Sequence, residues 1–306
     1  YPKIKCLMLI FVLMLLKFLK ILLLTLKMLF GRLDLIFMIK HTNGNLVYFT
    51  FEKFDNTGLV SHCFSTRKGG VSTGCFESLN LHFREDKPEN VIENYKILCG
   101  AIGVDYNDVV FSKQIHSDTI YTVSQNDRGK GLLRKSDIED ADGLITNEKN
   151  IVLTTFYADC VPIYFLDPIK KVICMAHSGW KGTVLQIGAK AISKMEKDYG
   201  SDRKNILVGI GPSIKKCCFE VEYPVVAEFE SNIDFAKDFI TKDMQKEGKF
   251  KIDLQGIIEK TLTSVGVLPK NIENSNICTK CNPDLFYSHR NMGAERGSLA
   301  GLIALK

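Results

Sequence analysis

Histidine is scarce in this sequence, tryptophan occurs once, and no basic stripe runs through its body. Six histidines scattered over 306 residues are too few for a multicopper cluster, which consumes imidazoles several at a time. The formal net charge of +5 arises in residues 1–37, where Lys3, Lys5, Lys17, Lys20, Lys27 and Arg32 face Asp34 alone. The remainder is neutral, which excludes a surface built to neutralise nucleic-acid phosphates. Long apolar runs are missing too. The longest, residues 6–16, falls short of the about 20 residues that span a bilayer, and Lys17 and Lys20 would lie mid-membrane at roughly 2.5–3.5 kcal/mol each. Repeats and low-complexity tracts are absent from residues 38–306. So is a dinucleotide fingerprint, because in "GIGPSI" a proline follows the second glycine and no helix opens there.

What is present divides at Met38. Lys17, Lys20 and Lys27 share one helical face, so an interfacial amphipathic helix is physically possible. The chain does not begin with Met, however, and "MIKHTNGNLVYFTF" reads as an ordinary start followed by a turn and a strand. Residues 1–37 are therefore expected to be a hydrophobic leader outside the native fold. Residues 38–306 are expected to form a single domain of the α+β class, with mixed β-sheets and flanking helices. The ten cysteines are irregularly spaced in a long chain, which suits reduced thiols in a cytoplasmic protein.

Within that domain "KPENVIENYKILCGAIG" predicts a helix with Val91, Tyr95, Leu98 and Ile102 on one face. "DVVFSKQIHSDTIYTV" reads as strands around His116. "GLITN", "IVLTTFY", "VPIYFLD" and "KKVICMAH" read as four further strands. "TVLQIGAKAISKMEKDYG" predicts a helix that buries Leu185, Ala189, Ile192, Met195 and Tyr199 and stops at Gly200. "YPVVAEFESNI" and "DLQGIIEKTLTSVGV" are two more helices, the second capped by Asp253.

The chemistry concentrates around residues 156–183. If residues 167–170 form a four-residue hairpin loop, Leu166 pairs with Lys171 and Cys160 stands opposite His177. Opposed residues have Cβ atoms about 4.5–5.5 Å apart, close enough to share one zinc ion at roughly 2.3 Å from sulfur and 2.0 Å from nitrogen. A catalytic zinc needs a third protein ligand, and His116, in the polar segment "SKQIHSD", is the best of the remaining histidines. Two other readings of the same residues stay open. One is a packed cysteine with hydrogen-bonded histidines. The other is a thiolate–imidazole nucleophile that attacks an amide or ester carbonyl.

"STRKGGVS", "SLNL", "KQIH", "ADGLIT", "ADCVPI", "AHSGWKGT", "GIGPSI" with "CCFEV", and "CTKCNPDLFYSHRNMGAERG" occur in order over nearly all of residues 60–301. This series resembles the YfiH-like family of purine nucleoside phosphorylases, formerly called multicopper polyphenol oxidases or laccase-domain proteins. The resemblance implies a cytosolic α+β metalloenzyme with one zinc held by His116, Cys160 and His177, copper being the other metal associated with the family. It implies phosphorolysis of adenosine, inosine, guanosine and methylthioadenosine to base and ribose 1-phosphate, and deamination of adenosine to inosine. The partners are then a nucleoside and phosphate, with no nucleic acid, no membrane for residues 38–306, and an oligomeric state left open. Relatives described as peptidoglycan-editing amidases keep a cysteine-type alternative in view.

Phosphorolysis requires an anion site. Arg67, Lys181, Arg290 and Arg296 stand in the motif loops, with Lys181 replacing the family's usual arginine in the Gly-Trp-Arg-Gly turn and losing its bidentate geometry. Arg290 is the favoured phosphate ligand, because "FYSHR" reads as a strand ending at the rim. Asn80 is a candidate for substrate binding, Gln114 for orienting a ligand, and Asp159 for acid–base work. Trp180 is expected to pack beneath the hairpin rather than stack on a base. Cys278 and Cys281 form a CxxC without a second well-spaced pair, so a zinc knuckle is not expected, and Cys217 and Cys218 read as packed thiols.

Overall fold

The computed structural model describes residues 38–306; the leader expected at residues 1–37 lies outside them. Fifteen strands and seven helices are found among the described residues. In chain order the strands are β1 (Met38–Asn43), β2 (Leu46–Phe51), β3 (Val60–Ser65), β4 (Val109–Val110), β5 (Ile120–Thr122), β6 (Gly143–Thr146), β7 (Val152–Tyr157), β8 (Val161–Asp167), β9 (Val172–Ser178), β10 (Leu207–Ile210), β11 (Glu220–Glu222), β12 (Ile240–Lys242), β13 (Lys249–Ile252), β14 (Ile272–Asn274) and β15 (Leu299–Leu305). The helices are α1 (Glu52–Asp55), α2 (Pro88–Ile102), α3 (Trp180–Val184), α4 (Ile187–Tyr199), α5 (Tyr223–Asn232), α6 (Leu254–Ser264) and α7 (His289–Met292).

Two six-stranded sheets carry the architecture, in the orders β1-β2-β3-β15-β7-β4 and β14-β10-β8-β9-β6-β5, with a small third sheet β11-β13-β12. The central strands β7, β8, β9 and β15 of the two large sheets are buried along their whole length because both faces are covered. In β9, Ile173 and Met175 point into the core between the two large sheets with Phe64, Leu153 and Ile303. Val172, Cys174 and Ala176 point to the other side, under Ile187, Ile192 and Met195 of α4 and Ile257 and Leu262 of α6. The outer face of the first sheet is closed by Val91, Tyr95 and Leu98 of α2. The result is four layers, helix, sheet, sheet, helices, and a mixed α and β fold as expected. Gly301 lets the sheets approach: a Cβ there would stand 2.5 Å from Tyr164 Oη and 2.6 Å from Met175 Cε.

Several local expectations need correction. His116 is not on a strand. Only Val109–Val110 and Ile120–Thr122 pair, and the segment between them is a loop in which His116 takes a positive φ of 65°. The helix after the Gly-Trp-Lys-Gly turn breaks at Gln186, which adopts φ 56°. Leu185 is consequently exposed, and the buried stripe is Ile187, Gly188, Ala191, Ile192 and Met195. Gly200 ends that helix at φ 66°, as read. "FYSHR" is no strand: Ser288 accepts the Asn291 N–H and caps the short helix α7. Asp253 caps α6 through the Gly256 N–H at 3.0 Å.

Candidate metal centre and cavity

The β8–β9 hairpin is the foundation of the site, and its register differs from the simplest reading. The Asp167 carboxylate accepts the Ile169 and Lys170 N–H groups at 2.8 and 3.0 Å, and Lys171 turns the chain at φ 54°. Asp167 is therefore the last paired residue. It faces Val172, and His177 faces Pro162 rather than Cys160. A shift of two leaves side chains on the same face, so Cys160, just before β8, becomes a diagonal neighbour of His177. The two remain within reach of each other.

His116, Cys160 and His177 offer ligand atoms that all lie within 4.8 Å of one another. Cys160 Sγ is 3.8 Å from His116 Nε2, close to the roughly 3.5 Å separating a sulfur and a nitrogen bound tetrahedrally to one zinc. Gly179 fits this crowding, since a Cβ there would come within 2.8 Å of His116 Cδ2 and 3.1 Å of Cys160 Sγ. One thiolate and two imidazoles suit zinc, with a fourth position left for a reactant. They also suit a copper ion that takes an axial methionine, but no methionine lines this cavity among the described residues.

Asp142, which the sequence reading left unassigned within "ADGLIT", organises the ligands. It is fully buried. Its carboxylate meets His177 Nδ1 at 2.7 Å, and it accepts the N–H groups of Ile115, His116 and Ser117 at 3.1, 3.0 and 2.7 Å and the Ser117 hydroxyl at 2.9 Å. The contact at Nδ1 leaves His177 Nε2 to act as ligand. Burial alone would raise the carboxyl pKa, yet the His177 hydrogen bond and charge and the backbone donors hold it down at about 2. Burial likewise opposes ionisation of Cys160, but the two imidazoles lower its thiol to about 6. Burial would depress His177, while the Cys160 thiolate and Asp142 raise it to about 9. Each group thus favours the charged form of the other, the thiolate of Cys160 and the imidazolium of His177.

The triad opens into a cavity of about 530 Å³, a size that takes a small organic ligand. Arg84, Lys113, Arg290 and Arg296 line it, together with His82 and His289. The acid in its wall is Asp159, whose oxygens already accept from Thr279 Oγ1 and the Arg290 N–H, both at 2.7 Å. Phe156, Tyr157, Trp180 and Phe219 add flat apolar surface. Trp180 also packs on the core under β8 and β9, as expected.

The remaining sequence candidates divide by position. Arg67 lies off the cavity, donating to the carbonyls of Glu77 and Pro283 and covering the Tyr287 ring at 4.9 Å. Asn80 is buried in a loop network with His82, Asp86 and Ser298. Lys181 is exposed, with its amine 5.6 Å from the Trp180 ring centre. Gln114 reaches the cavity, but both ends of its amide bind the Phe156 backbone, at 2.7 and 3.1 Å. Arg290 lines the cavity while Nη1 donates to the carbonyls of Cys218 and Glu220 at 3.3 and 2.8 Å. Arg296 differs. Nη1 donates to the Gly297 carbonyl, whereas its buried Nε has no partner among the described residues.

Comparison with known proteins places this site in a family. The sequence matches the family described as multi-copper polyphenol oxidoreductase laccase over residues 61–306. The chain belongs to that family. It is 36% identical over 246 residues to purine nucleoside phosphorylase YlmD of Bacillus subtilis, covering 79% of this chain and 87% of that protein. It is 31% identical over 251 residues to adenosine deaminase RL5 from an unknown prokaryotic organism, covering 80% and 95%. The crystal structure of the Bacillus licheniformis hypothetical protein YfiH superposes with a TM-score of 0.81 at 32% identity, covering 87% of this chain and 99% of that one.

Proposed function

We propose that this protein is a zinc-dependent purine nucleoside enzyme. It would cleave adenosine, inosine, guanosine and methylthioadenosine with phosphate, and deaminate adenosine to inosine. The observation that carries the reading is the juxtaposition of the His116, Cys160 and His177 donors with a cavity walled by arginines, one of which has an unpartnered buried Nε. The relatives' names, purine nucleoside phosphorylase and adenosine deaminase, supply the substrate class. Described cysteines that are all free accord with a reducing, cytoplasmic location.

When bound, zinc would supply a Lewis acid that polarises an electrophile or acidifies water. The chain's own groups do the rest. Arg296 and Arg84 would hold phosphate, guanidinium groups being suited to its oxygens. Phe156, Trp180 and Phe219 would take the flat base. In phosphorolysis a phosphate oxygen bonds to the anomeric carbon, the glycosidic C–N bond breaks, and the purine leaves with the electron pair and takes up a proton. Asp142 would hold His177 neutral at Nε2 by retaining the proton on Nδ1. Gln114 and Asp159, with their polar atoms engaged by protein, would position the loops around Cys160.

Mass analysis of products from adenosine tests this. Adenine and ribose 1-phosphate should appear only with phosphate, inosine and ammonia without it, and a strong chelator should abolish both until zinc is restored. The lowered thiol pKa of Cys160 supports one competing reading, a cysteine-type amidase using Cys160 and His177. Activity that survives complete metal removal but is lost on alkylating Cys160 would favour it.

A further inference from the structure

Four cysteines outside the triad converge at one point. β10 and β14 run parallel and adjacent, and the loops that follow them stay paired: the Ser213 N–H donates to the Ile277 carbonyl and the Thr279 N–H to the Ser213 carbonyl. This pairing sets the Cys217–Cys218 dipeptide of one loop against the Cys278 and Cys281 CxxC of the other. The missing second pair of the CxxC is thus supplied by the fold. All four sulfurs lie within 4.8 Å of one another, with Cys217 and Cys218 at 3.7 and 3.4 Å from Cys281. Four thiolates bound tetrahedrally at about 2.3 Å from one zinc would stand about 3.8 Å apart. A disulfide would need about 2.05 Å.

Packing does not account for the cluster, since Cys217 and Cys281 are exposed and only Cys278 is buried. The backbone around Cys278 suits an anionic sulfur. The Lys215 N–H points at Cys278 Sγ from 3.5 Å, and the sequence flanks the thiols with Lys215, Lys216 and Lys280, which would offset the net charge of about −2 on a zinc tetrathiolate.

We propose that Cys217, Cys218, Cys278 and Cys281 form a second metal site, a tetrathiolate for zinc that clamps the loops behind the catalytic cavity. A tetrahedral sulfur set selects zinc or iron among common metals, and closed four-thiolate zinc sites are structural. The clamp would reach the catalytic wall through named contacts. Thr279, inside the CxxC, holds Asp159 beside Cys160, and the Cys218 carbonyl holds the Arg290 guanidinium.

Metal counting on the full chain, purified without oxygen and equilibrated with zinc, tests the proposal. Cys160→Ala, which breaks the triad, should retain one zinc per chain. X-ray absorption should show that ion in a shell of sulfur at about 2.3 Å. Cys217→Ser/Cys281→Ser, made at exposed positions, should weaken binding of that ion at least tenfold. A folded Cys160→Ala protein that holds no zinc, holds it through nitrogen and oxygen, or shows a disulfide among the four cysteines would overturn it; iron at the same sulfurs would overturn the choice of zinc. If the triad itself binds nothing, wild type and Cys160→Ala would carry the same sulfur-bound ion, and the second site would stand.

Discussion

The Asp142 carboxylate accepts from His177 and from three consecutive backbone N–H groups, so Asp142→Asn would put an amide NH₂ where every neighbour is a donor. Loss of such a partner behind a histidine ligand weakens metal binding about 10- to 100-fold, and competition against a chelator should show that loss for the triad. The pH dependence follows from the same groups. Asp142 titrates below its ordinary 3.8, at about 2, so its contribution to stability is complete above pH 4 and disappears as pH falls through 2. Urea midpoints of wild type and Asp142→Asn should converge over that interval. Metal affinity should fall as pH drops, and should begin to do so at a higher pH than stability does. Between about 9 and 6, metal binding must expel the His177 proton, and below 6 the Cys160 proton as well. The logarithm of triad affinity should then rise about one unit per pH unit in the upper range and two in the lower. For phosphate, the favoured residue changes from Arg290 to Arg296. Arg290 already braces two carbonyls, whereas Arg296 Nε is unpartnered. Arg296→Ala should raise the KM for phosphate at least tenfold and leave phosphate-independent deamination nearly intact, with Arg296→Lys recovering only part. Initial rates at varied phosphate would measure it, and equal loss of both reactions would refute the assignment.

At the level of elements, the hairpin and its following turn fix the tolerance of the site. Gly179→Ala would drive a methyl group against His116 and Cys160, at a cost of about 1–3 kcal/mol. Zinc content after dialysis should fall together with Tm. The approach of Cys160 and His177 was legible because strand alternation restricts which side chains can meet, whereas His116 was read from its polar segment and the family motifs. Even a hairpin register wrong by two preserved the face of Cys160 and His177. The loop of His116 was less legible: its conformation is imposed by Asp142 from 26 positions away, and no local pattern encodes such a partner. Arg67, Asn80 and Lys181 do not line the cavity, and sequence could not separate them from those that do, because shared motif loops bring together structural and cavity residues alike. The cysteine cluster was hidden as well. Its two pairs meet only because β10 and β14 are neighbours, and sheet order is not written in either segment.

Across the whole molecule, the sheet-on-sheet core is the least forgiving part. Gly301→Ala would place its methyl against Tyr164 and Met175 between layers that cannot separate without opening the core. The expected destabilisation is about 1–3 kcal/mol, seen as a lower urea midpoint with an unchanged slope. An unchanged midpoint would show that the layers can yield. The described residues contain no helix long and apolar enough to cross a membrane. The position of β15 has a further consequence. It lies in the middle of its sheet, hydrogen-bonded to β3 on one side and β7 on the other, although Ala300 comes 235 positions after its partner Ser65. A ribosome adding about 5–20 residues per second needs on the order of tens of seconds to cover that distance. β3 waits with one open edge throughout that interval and β7 for the later part of it, so the newborn chain depends on whatever shields them until residues 299–305 leave the exit tunnel.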